Sequence, residues 1–151
     1  MVNKEENLKA IIDDIFRLNN PIINTARKQQ IDNFIISAVN GDNPTAHLII
    51  SANLGENNKG VIIYILTDLR LIKIDIDAKE ITSSSFPLNT LIGIERKLID
   101  DDLTQFTIAF QNGTFGLRYS QDDHKITNFF QRLTRAETKI ETLSTRNSIA
   151  N

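Results

Sequence analysis

The chain has 151 residues, 40% of them hydrophobic and 24% charged, with a formal net charge of −2 and a pI near 5.7. That is enough apolar material for one domain with a real core and too much for a disordered chain. The near-neutral balance gives no electrostatic reason to expect nucleic acid, which needs a clustered basic face; the absence of cysteine excludes disulfides and thiolate chemistry, and two distant histidines, His47 and His124, make no zinc-ligand set.

The start, Met1-Val2-Asn3-Lys4-Glu5-Glu6, is polar and acidic, without the basic and apolar stretches of a signal peptide. No run approaches the ~20 apolar residues that span a bilayer. The expectation is a soluble, cytoplasmic protein.

Leu8, Ile11, Ile12, Ile15 and Leu18 recur at three- and four-residue steps and predict an amphipathic helix. Asn19-Asn20-Pro21 interrupts it. Because proline suits a helix's first turn, a second helix is expected from Pro21, burying Ile22, Ile23, Ala26, Ile31, Phe34, Ile35 and Ala38. Gly41-Asp42-Asn43-Pro44 ends it.

From Thr45 to Ser120 the period becomes that of strands. Seven are predicted, at 45–54, 59–67, 69–77, 80–87, 90–99, 103–111 and 114–120, with polar or glycine corners between them. The sixth alternates, with Phe106, Ile108 and Phe110 facing in, and its partner offers Phe115, Leu117 and Tyr119. Asn112-Gly113 predicts a type I′ hairpin turn, in which both central residues need positive φ. Strand 59–67 differs: Val61, Ile63 and Ile65 line one face, and Ile62, Tyr64 and Leu66 the other. A face this apolar needs a cover, supplied by the N-terminal helices or by a second subunit.

A last helix is expected over 121–143, with Ile126, Phe129, Phe130, Leu133, Ala136, Ile140 and Leu143 as its stripe. Residues 144–151 lose pattern and read as a frayed tail. The expected division is a helical extension over 1–44, a strand-rich domain over 45–143 and that tail.

Lys59-Gly60-Val61-Ile62-Ile63 through Leu66-Thr67-Asp68-Leu69-Arg70-Leu71-Ile72 resembles the Gly-apolar-Thr-(Asp/Asn)-x-Arg-Leu segment of bacterial pleckstrin-homology (PH)-like domains. Phe86-Pro87-Leu88-Asn89-Thr90-Leu91-Ile92-Gly93-Ile94-Glu95 is similar to the segment that follows it there. Gly113–Tyr119 and the helix carrying Phe129-Phe130 resemble that family's final hairpin and closing helix. The resemblance covers about residues 46–135. It implies an α+β, mainly β fold: a partly open, PH-like seven-stranded antiparallel barrel with a C-terminal capping helix, extended in this chain by two N-terminal helices. It also implies a bacterial or phage origin, a tendency to oligomerise and no defined lipid ligand.

Candidate sites are few. Arg70 lies in phase with Ile72, Ile74 and Ile76, so its guanidinium is expected at a rim beside a carboxylate, Glu95 or Asp68. That reads as a structural ion pair rather than an anion site. The loop Leu54-Gly55-Glu56-Asn57-Asn58-Lys59 holds one cation, too few for a phosphoinositide head group. Lys73, Lys79, Arg96, Lys97 and Arg118 read as a solvated surface, and Asp100-Asp101-Asp102 as a solvated turn rather than a calcium loop. His47 and His124 have no Ser or Cys partner nearby in sequence, and no catalytic constellation or cofactor motif is present. Ile62, Tyr64, Leu66, Ala136, Ile140 and Leu143 are the candidates for helix packing or self-association. The sequence therefore predicts a non-catalytic binding or scaffolding module, self-associating and engaging an unidentified protein, its open barrel edge able to add a peptide strand. Peripheral attachment to membrane phospholipid is the less favoured alternative.

Overall fold

The computed structural model describes residues 4–18, 20–53, 59–99, 103–120 and 128–135. Helix α1 spans Lys4–Phe16 and α2 Lys28–Val39. The strands are β1 (Pro44–Asn53), β2 (Lys59–Thr67), β3 (Arg70–Ile76), β4 (Ile81–Pro87), β5 (Leu91–Leu98), β6 (Leu103–Phe110) and β7 (Gly113–Ser120). A helix over 128–135, α3, follows. All seven strands fall within one residue of their expected bounds. They form two antiparallel sheets, in the orders β1-β2-β3-β4 and β5-β6-β7, rather than one closed barrel. The chain makes two compact units, Met1–Ser85 and Phe86–Asn151.

In the first unit, register explains the core. Val61 lies opposite Ile76, Ile63 opposite Ile74 and Ile65 opposite Ile72, so all six side chains share one sheet face. Ile11 and Ile15 of α1, Ile31, Ile35 and Val39 of α2, and Ile22 and Ile23 between the helices join them in one buried cluster. Each such side chain contributes about 1.5–3 kcal/mol when fully withdrawn from water. The N-terminal helices therefore pack within the chain. They cover the Val61–Ile63–Ile65 face; Ile62, Tyr64 and Leu66 lie on the opposite face of β2, where Tyr64 and Leu66 are buried and Ile62 is half-buried.

The second helix begins at Lys28, not at Pro21. The amide of Ile22 donates to the Asn20 side chain at 3.0 Å, and that of Arg27 donates to the Asn24 side chain at 3.2 Å, capping a 3-10 turn at Thr25–Arg27. Asparagine side chains competing for local amides displace the helix start. Ala26, expected in the core, is exposed. At the other end Asn40 (φ 47°) and Gly41 (φ 86°) take left-handed backbone and stop α2.

In the second unit, Phe106, Ile108 and Phe110 are buried on one face of β6, as their alternation requires. Helix α3 lays Phe129, Phe130 and Leu133 inward, and the Phe130 ring stacks on Phe106 with centroids 3.6 Å apart. Residues 121–127 and 136–143 of the expected helix, with Ala136, Ile140 and Leu143, lie outside the described residues. The β6–β7 corner differs from expectation. Phe110 pairs with Gly113, which puts Gln111-Asn112 at the tip, and among the described residues only Asn40 and Gly41 have positive φ. The turn is therefore not type I′.

Candidate functional site

Among the described residues two places stand out, one in each unit. The first is the tip of the β2–β3 hairpin. Thr67 is buried there, and its hydroxyl oxygen accepts from the amides of Leu69 at 3.1 Å and Arg70 at 2.9 Å, closing the corner. Its one proton has two acceptors in reach, Asp42 Oδ2 at 3.1 Å and the Arg70 carbonyl at 3.2 Å. Asp68 is occupied differently: its Oδ1 accepts from the amide of Asn43, and its own amide donates to the Asn43 carbonyl, each at 3.2 Å.

Arg70 reaches away from the strand. Its Nε donates to Asp42 Oδ2 at 2.7 Å, so the paired carboxylate is Asp42 and not the expected Asp68 or Glu95. Nη2 donates to the carbonyls of Ala38 at 3.2 Å and Val39 at 2.9 Å, and Nη1 to Ser85 Oγ at 3.1 Å. The carbonyls belong to the last turn of α2, where such groups have no partner within the helix. Four of the five guanidinium N–H groups are thus bound to protein. A guanidinium so used has little left for an anion.

Three further ties join the helices to the first sheet. Asp14 Oδ2 of α1 accepts from His47 Nε2 of β1 at 2.7 Å. Asn7 Nδ2 donates to the Pro44 carbonyl at 2.8 Å, and Arg27 Nη1 donates to the Asp77 carbonyl at 2.7 Å. Asp77 also closes the β3–β4 corner, its Oδ1 accepting from the amides of Lys79 at 2.7 Å and Glu80 at 2.6 Å. Those amide bonds, that to Glu80 foremost, hold its carboxyl below the usual carboxylate range. On the opposite sheet face, burial and then the nearby Asp75 charge push the Tyr64 hydroxyl up to about 12.

The second place is β5, an edge strand of its sheet. Ile92 is 66% exposed and Leu98 60%, and Ile99, just beyond the strand, is 41% exposed. Glu95, Arg96 and Lys97 are exposed between them. The backbone of β5 has a defined polarity. Phe110 and Gly113 flank a two-residue loop, so the even-numbered residues of β6 direct their amides and carbonyls toward β7. The odd-numbered ones face β5, and the Gln111 amide, which donates to the Thr90 carbonyl at 2.9 Å, follows the same rule. Gly93, Glu95 and Lys97, opposite Ala109, Thr107 and Gln105, therefore spend their backbone groups on β6. Those of Ile94, Arg96 and Leu98 point away from β6, along the outer edge of this sheet.

The remaining expected residues are scattered. Lys73 is half-buried with Asp75 at 3.9 Å, and Lys79 is exposed at the corner after β3. The 54–58 loop, Asp100-Asp101-Asp102 and His124 lie outside the described residues, as does the Arg118 side chain. Among the described residues, no group of three or more His, Cys, Asp or Glu side chains is placed to hold a metal, and no helix is long and apolar enough to cross a membrane. Sequence reasoning missed Asp42, which it treated only as part of a helix breaker, and the exposed trio Ile92, Leu98 and Ile99.

No family model and no curated protein matches the chain. Among solved structures it is similar to a pleckstrin homology domain from Shewanella amazonensis SB2B, at 16% identity and a TM-score of 0.46, over 68% of this chain and 92% of that one. It is also similar to a DUF1696 family protein with a pleckstrin-homology domain from Shewanella loihica PV-4, at 14% identity and a TM-score of 0.43, over 76% of this chain and 94% of that one. Among the described residues the chain has the expected element order, seven antiparallel strands in sheets of four and three and then a helix.

Proposed function

We propose that the protein is a non-catalytic, PH-like binding module that takes an extended segment of a protein partner along the free edge of β5. The observation that carries this reading is the combination at that edge of outward backbone groups with large apolar side chains left in water. A bound strand would satisfy the amides and carbonyls of Ile94, Arg96 and Leu98, while the exposed apolar side chains supply contact area. The polar hairpin tip gives a catalytic or anion-binding role little support, because Arg70, Asp42 and Thr67 are spent on one another and on α2. Attachment to anionic lipid has less behind it again, since Lys73 is offset by Asp75.

The test is titration of a panel of extended peptides against the wild-type protein and an Arg96→Pro variant, followed by amide exchange. Proline at 96 removes an outward donor without touching the ladder to β6. Binding should protect the amides of Ile94, Arg96 and Leu98 and should be lost in the variant. Peptides that bind equally well to Arg96→Pro, or outward amides already protected in the dilute free protein, would sink the reading.

A further inference from the structure

We infer that the strand captured by β5 is β5 of a second copy of this chain, paired antiparallel about a two-fold axis through Arg96. The inference rests on the strand-capture reading above and names its partner. Register carries it. Two copies of one edge strand related by a two-fold axis keep the same sheet face, so residues that meet across the axis are both even-numbered or both odd-numbered. The outward backbone groups of β5 are those of Ile94, Arg96 and Leu98, so hydrogen-bonded pairs join even residues, and odd residues meet in the closer, non-hydrogen-bonded pairs.

Only a few registers remain, and charge separates them. With the axis at Arg96, Glu95 of each copy meets Lys97 of the other, and Ile94 of each meets Leu98 of the other. The charges of Glu95 and Lys97 are matched and an apolar pair flanks the axis on each side. Moving the axis to Glu95 sets that carboxylate against its own copy, Gly93 against Lys97 and Ile94 against Arg96. At Lys97 the ammonium faces itself, and Glu95 meets Ile99. At Ile94, Glu95 meets Gly93 and Arg96 meets Ile92. Opposite charges directly across a strand pair stabilise it and like charges destabilise it, so the Arg96 register is the one the sequence of the edge selects.

Its cost is also specific. Arg96 faces its own copy, although its side chain is exposed and long enough to carry the charge away from the axis. The register therefore makes an unusual demand: replacing this one arginine should tighten the assembly. Among the described residues no ion pair engages Glu95, Arg96 or Lys97.

The experiment is sedimentation equilibrium on the full-length chain and four variants. Wild type should show a concentration-dependent monomer–dimer equilibrium. Glu95→Lys and Lys97→Glu should each weaken it, by roughly tenfold for two symmetric pairs turned from attraction to repulsion. The double exchange Glu95→Lys with Lys97→Glu should restore it, and Arg96→Thr should strengthen it. Because the chain has no cysteine, Arg96→Cys gives a clean covalent check: mild oxidation should link two copies, since facing Cα atoms in such a pair lie within disulfide reach. A dimer indifferent to both charge reversals overturns the register. A wild-type chain that stays monomeric, or that forms a larger closed ring, overturns the inference itself. Either result leaves strand capture to be judged by the peptide titration, whose failure would be seen there in the amides of Ile94, Arg96 and Leu98.

Discussion

Arg70 shows how much one side chain can hold when every donor has a partner. Its charge faces the Asp42 carboxylate, which is largely withdrawn from water, and the fork of its guanidinium reaches the end of α2. Arg70→Ala would leave that carboxylate without its counter-charge, take the Arg70 bond from the Ala38 carbonyl and leave Val39's with the Asp42 amide alone. Loss of a partly buried, charge-assisted set of bonds of this kind costs about 2–3 kcal/mol, and urea denaturation should show a shift of that size. Arg70→Lys should recover only part of it, because an ammonium cannot serve the carboxylate and both carbonyls in the same plane. If Arg70→Ala left the midpoint unchanged while abolishing binding, the fastening role would be wrong. Tyr64 sets a second expectation at this scale. Its hydroxyl is raised to about 12 in the folded state against about 10 when unfolded, so the folded chain keeps a proton that the unfolded chain has lost. The stabilisation is complete below pH 10 and drains away as pH rises toward 12. Thermal melts across that window should fall more steeply for wild type than for Tyr64→Phe.

At the scale of elements, what the sequence makes legible is periodicity. Alternation and apolar runs located all seven strands, and the three- and four-residue spacing found α1, because those periods follow directly from strand and helix geometry. Three things were hidden. Which face of β2 the helices choose is invisible when both faces are apolar: Ile62-Tyr64-Leu66 reads no differently from Val61-Ile63-Ile65. The start of α2 turned on Asn20 and Asn24 bonding nearby amides, a competition that propensity does not rank. The partner of Arg70 lay 28 positions away, beyond any local pattern, and the edge position of β5 depends on sheet order rather than on its own residues. Where elements meet, the packing makes a plain prediction. Ile35 is fully buried between α2 and the sheet, and Ile35→Ala should cost about 2–5 kcal/mol through lost transfer energy and the cavity left behind. The exposed Ile36 next to it is the control, and Ile36→Ala should change stability by less than about 0.5 kcal/mol.

At the scale of the whole molecule, the N-terminal helices are part of the first unit's core and not an appendage to it. Removing residues 1–40 would uncover the sheet face built from Val61, Ile63, Ile65, Ile72, Ile74 and Ile76. Such a chain should aggregate or bind a hydrophobic dye strongly, whereas point changes on β5 should leave the fold intact and alter only association. Light scattering on the two kinds of variant separates these outcomes. A truncated chain that stays soluble and folded would contradict the part α1 and α2 play in that core. Oligomeric state is therefore better probed by changes at the β5 edge than by truncation, because such changes leave that core in place.

The Arg70 contacts with Ala38 and Val39 have a consequence in time as well as in stability. Helix α2 is 12 residues long and has no side-chain cap at its N-terminus, and a helix of that length is marginal on its own in water. Of its terminal carbonyls, that of Ala38 is bound by a side chain from a strand made some thirty residues later in synthesis, and that of Val39 by the same side chain and by the Asp42 amide. A nascent chain emerging with α2 but without the β2–β3 hairpin would therefore carry a helix that unravels as fast as it forms. Its first durable turn would be set when Thr67 closes the hairpin and swings Arg70 into place. Folding of the first unit should then be paced by that hairpin, and slowing it, by Thr67→Val for example, should delay helix formation measured by far-ultraviolet circular dichroism.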